Sequence, residues 1–97
     1  MSFVATIVIH EAVTKLDALQ MIATVSGALI QESGSAHPFI VLASGSRVDI
    51  DVPKFGEAPP MAVDVSSDVS ADLARRDAIA VQILLQETAR WTVLQDW

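Results

Sequence analysis

Residues 37–66, HPFIVLASGSRVDIDVPKFGEAPPMAVDVS, restrict the fold more than any other stretch, because two separate runs alternate in side-chain character with a period of two. Arg47–Val52 alternates and so does Met61–Ser66. A period of two marks strands with one face buried and the other in water. Phe39–Ala43 is a short apolar run, and Ser44-Gly45-Ser46 supplies the turn that joins it to Arg47–Val52 as a β-hairpin.

The side-chain period of a strand makes the register of this hairpin decisive. A turn centred on Gly45 and Ser46 sets Ser44 opposite Arg47, so that Ala43, Val41 and Phe39 oppose Val48, Ile50 and Val52 on a core face. Ile40 and Leu42 then lie on the outer face beside Asp49 and Asp51, whereas a slip of one residue carries both acids to the side of Phe39 and Val41. The third run points Met61, Val63 and Val65 inward and Ala62, Asp64 and Ser66 outward. The expected result is an open sheet face on which Asp49, Asp51 and Asp64 surround Ile40 and Leu42.

The charge is concentrated in the same place. Residues 48–72 carry Asp49, Asp51, Glu57, Asp64, Asp68 and Asp72 against Lys54 alone, a net of −5 out of −6 for the chain. Such a balance disfavours nucleic acid and favours a cationic protein partner. Between the second and third runs, Pro53-Lys54-Phe55-Gly56-Glu57-Ala58-Pro59-Pro60 reads as a stiff loop; Phe55 and Glu57 in it join the candidate contact set, since a preorganised aromatic loses little entropy on binding.

The flanking segments complete an α+β order. Phe3–Ile9, FVATIVI, is β-branched and apolar on both sides, which marks an inner strand. Thr14 and Asp17 have capping-box spacing, so a helix is expected from Lys15 to about Gln31, with Gly34 as its C-cap. A second helix is expected from about Ala71 to about Thr88, after serines that can cap it, and Trp91–Leu94 is β-prone. Residues 1–97 therefore read as a single domain, an antiparallel sheet of four or five strands with two helices packed on one face. The order is ferredoxin-like βαββαβ if Met61–Ser66 is a loop insertion, or a βαβββα sandwich if the C-terminus is helical.

Motifs that carry chemistry do not assemble. With no cysteine there is no disulfide or thiolate, and a cytoplasmic location is expected. Phe3–Ile9 is too short to span a membrane, and no basic segment precedes it as in a leader peptide. His10-Glu11 lacks the second histidine of a zinc-protease helix, because position 14 is Thr14. DIDVPKFGE lacks the ligand spacing of a calcium loop. The expectation is a small acidic protein-binding domain rather than an enzyme, without cofactor or metal, of the immunity or inhibitor kind that neutralises a cationic partner enzyme such as a toxin. A homodimeric regulatory or small-ligand module is the alternative, because 52% hydrophobic residues is high for so small a domain.

Overall fold

The computed structural model describes residues 2–32, 34–35, 37–51 and 61–97. In chain order the elements are β1 (Phe3–Ile9), α1 (Lys15–Ser26), β2 (Ile30–Gln31), β3 (Phe39–Val41), β4 (Arg47–Asp51), β5 (Met61–Ser67), α2 (Ala71–Leu84), a π-helical turn (Leu85–Ala89) and β6 (Val93–Gln95). The strands form one six-stranded sheet in the order β2-β3-β4-β5-β1-β6, and every pairing is antiparallel.

Alternation decides which face is covered. Ala5, Ile7 and Ile9 of β1, Met61, Val63 and Val65 of β5, Val48 and Ile50 of β4, Ile40 of β3 and Val93 of β6 are buried in one cluster. Ala18, Leu19 and Ile22 of α1 and Ala74, Ala78 and Val81 of α2 join the same cluster, so both helices pack on this face. The opposite face of the sheet is uncovered among the described residues.

The α1 start follows the sequence: the Thr14 hydroxyl accepts from Asp17 N, and the Asp17 carboxylate accepts from Thr14 N. Its end does not. Gly27 adopts the left-handed conformation, φ +70°, and its N–H donates to Ala23 O, closing the helix several residues before Gln31. Ile30-Gln31, expected to be helical, instead forms β2 beside β3, which carries the strand count past five. Met61–Ser67 is an interior strand between β4 and β1, not an insertion. The Ser70 hydroxyl accepts from Leu73 N and caps α2. That helix runs into the π turn, which ends at Arg90 with φ +60°.

At the hairpin the expected register is overturned. Leu42 N donates to Ser46 O at 2.8 Å and Gly45 N to Leu42 O at 2.9 Å, so the loop is Ala43-Ser44-Gly45, with Gly45 at φ +93°. This three-residue loop with a left-handed glycine is one residue longer than the two-residue turn expected from the sequence. Ile40 therefore pairs with Val48 and Val41 with Arg47, and the faces of β3 exchange.

No described helix is long and apolar enough to cross a membrane.

Candidate functional site

The register just described decides what the uncovered face carries. Ile40, expected there, is 0% exposed in the core, and Leu42 packs against the core beside Val25, Val81 and Leu84. Phe39 and Val41 take their places outside. Asp49 and Asp64 do share the face, directly opposite each other on β4 and β5. The backbone of Asp51 pairs with Ala62. Phe55 and Glu57 lie outside the described residues.

Three rows of side chains cross the face perpendicular to the strands. In the first, Val41 opposes Arg47, Arg47 opposes Ser66, and Ser66 opposes Val4. In the second, Asp49 opposes Asp64 and Asp64 opposes Thr6; the Asp96 N–H then donates to Thr6 O at 3.0 Å, which extends the row past β6. In the third, the backbone of Asp51 opposes Ala62, Ala62 opposes Val8 and Val8 opposes Leu94. Adjacent rows are two residues of strand apart, roughly 7 Å. Val4 (58% exposed), Val41 (41%) and Leu94 (52%) are open to solvent, so the acidic row runs between two rows that expose aliphatic side chains.

Like charges directly opposite on neighbouring strands repel, and the local contacts relieve this in two ways. The Arg47 guanidinium donates through Nε to both Asp49 oxygens, at 2.9 and 3.1 Å, and stacks on the Phe39 ring with its carbon 3.8 Å from the centroid. The Asp49 carboxylate, hydrogen-bonded to it, holds Arg47 above the ordinary arginine value. Asp64 accepts the Thr6 hydroxyl at 2.7 Å. Arg47–Asp49 is the ion pair found among the described residues, which leaves Asp64 and Asp96 without a cationic partner there.

The side chains that sequence reasoning passed over are Val4, Thr6 and Val8 on β1, Arg47 on β4, and Leu94 and Asp96 at β6. One signal for them was present: FVATIVI is apolar on both sides, yet only Ala5, Ile7 and Ile9 of it are fully buried. The positions of Leu94 and Asp96 follow from the β1–β6 register, which no local pattern specifies.

Elsewhere the surface offers little chemistry. A shallow depression of about 390 Å³ beside Trp91 is lined by Val13, Asp17, Gln20, Met21 and Thr24, and its carboxylate is committed to the α1 cap. His10 and His37 are exposed, and no group of three or more His, Cys, Asp or Glu residues suited to a metal ion occurs among the described residues. Comparison of the chain with protein-family models, with curated proteins and with solved structures finds no match.

Proposed function

We propose that this chain is a small acidic protein-binding domain of the immunity or inhibitor kind, which neutralises a cationic partner protein by covering it with the open sheet face. The observation that carries the reading is the row Asp49, Asp64, Asp96 set between exposed Val4, Val41 and Leu94. Carboxylates steer a basic surface into encounter, and aliphatics beside them supply the water-free centre on which affinity depends. Strand β1 supports the same reading, since Val4 is exposed and Val8 half-buried on the uncovered face. The fold suits such a role: we read β6-β1-β5-β4 with the two helices as the ferredoxin-like order, with β2 and β3 added at the β4 edge. A rigid sheet of this kind presents its face with little ordering cost.

The test is capture of partners from the native host by the purified chain at low salt, with release at high salt, followed by association kinetics with the recovered protein. Asp49→Ala combined with Asp64→Ala is expected to slow association and to flatten its dependence on salt. Binding at an unchanged rate across ionic strength would remove the electrostatic basis of the proposal.

A second reading, a homodimer, is favoured by Leu94 and by Trp97, which is 49% exposed close to the edge strand β6. Light scattering over a range of concentrations separates the two: a mass equal to one chain throughout removes the dimer.

A further inference from the structure

We infer that the ligand of the open face is an amphipathic α-helix lying across the strands, with a stripe of lysine or arginine along its centre line and aliphatic side chains on both flanks. This rests on the proposed binding role of that face and names the partner's chemistry. The spacing of the acidic row carries it. Neighbouring strands are about 4.8 Å apart, so β4 to β6 spans roughly 14 Å. A helix rises about 5.4 Å per turn, and its side chains at i and i+3 or i+4 stand one above another. One turn of helix therefore advances about one strand, and a basic stripe meets Asp49, Asp64 and Asp96 in succession, with Thr6 between the last two.

Both flanks carry aliphatic side chains among polar ones. A helix with its side chains is about 10–12 Å wide, so it covers the acidic row and meets the near edges of both neighbouring rows. Val4 and Val41 stand on one side with Arg47 and Ser66 between them, and Ala62, Val8 and Leu94 on the other, where the row begins at Asp51. An extended strand laid along the row has the wrong period, since its residues on one side recur at about 6.8 Å. Pairing at the β6 edge is opposed by a local contact: Gln82 Nε2 and Gln86 Nε2 both donate to Val93 O, at 3.0 and 2.8 Å, and occupy the outward carbonyl of that strand. Arg47 is already held by Asp49 and Phe39, so Asp64 and Asp96 are the acids that take the helix's cations.

The probe is a synthetic helical peptide of about 15 residues, long enough to form a helix on binding. Its lysines are spaced to make one stripe, with leucines on each side; an isomer of identical composition distributes the lysines around the helix. Fluorescence anisotropy with the full chain is expected to give the striped peptide about tenfold higher affinity than the isomer. Amide shifts in the complex are expected to centre on residues 4–8, 62–66 and 94–96. Asp64→Asn with Asp96→Asn should lower the striped peptide's affinity about tenfold. Equal binding of the two peptides, equal binding of an extended alternating lysine–valine peptide, or shifts confined to the helices would overturn the inference, as would a face already shielded by a second copy of the chain. If the peptides are not distinguished while a captured protein still depends on Asp49 and Asp64, the helical mode fails and the binding role stands. If neither depends on those acids, both fail.

Discussion

The Ser46 hydroxyl, 1% exposed, donates to Asp77 Oδ2, tying the β3–β4 turn to the middle of α2. Ser44 donates to the same oxygen at 2.6 Å. Removing the carboxylate leaves a buried hydroxyl without its acceptor, a loss of about 1–3 kcal/mol. Asp77→Ala is therefore expected to lower the melting temperature by roughly 4–8 °C for each kcal/mol lost in a domain of this size. Asp77→Asn, which keeps an acceptor oxygen, should recover part of the loss. Thermal melts followed by circular dichroism measure both.

Two left-handed residues make opposite predictions. Gly27 ends α1 at φ +70°, and the space that a Cβ would enter there has no neighbouring atom within 4 Å, so Gly27→Ala meets conformational strain and no clash, costing about 1 kcal/mol. Arg90 holds φ +60° at the end of the π turn, where a side chain bears the same strain. Arg90→Gly is expected to raise stability by about as much. Urea denaturation of the two variants gives midpoints on opposite sides of the parent.

The Thr14 cap offers a third test. Thr14→Ala removes the acceptor for Asp17 N, which lies 3.0 Å from the hydroxyl, and should cost about 1 kcal/mol. Faster amide exchange in the first turn of α1 than elsewhere in that helix would locate the effect.

The contact of Gln82 and Gln86 with Val93 predicts a change in solution behaviour as well as in stability. Replacing both by Ala exposes the outward carbonyl of edge strand β6. The double variant is expected to aggregate at lower concentration than the parent, since an unprotected edge is a template for further strands. Light scattering during a slow concentration series reads this directly.

Local signals in the chain were strong enough to place most elements. The Thr14–Asp17 box, the alternation of Met61–Ser66 and the outward side of β4 that carries Asp49 could all be read because each rests on a short-range period or cap; that Asp64 stands directly opposite Asp49 comes from the β4–β5 register. Two features escaped for a common reason, the choice between competing glycine roles. By composition Gly27 fits a mild interruption of a longer helix, and only its left-handed geometry with the pairing of Ile30 to Ile40 shows it as the stop. At the hairpin, Ser44-Gly45-Ser46 fits a two-residue or a three-residue loop equally well by composition. The choice is made by Ile40, which gains a buried place between α1 and the sheet, and by the Ser46 bond to Asp77 from an element 31 residues away. Asp96 and Leu94 joined the face through long-range pairing with β1, beyond the reach of any local pattern.

The three-residue loop Ala43-Ser44-Gly45 has a further consequence for how this chain can vary. Sliding β3 by one residue against β4 would turn it over, sending Ile40 into water and Phe39 and Val41 into the core, and would separate Arg47 from its aromatic seat. Descendants of this sequence can therefore change the length of the hairpin tip only where the loop itself absorbs the difference and Ile40 stays opposite Val48.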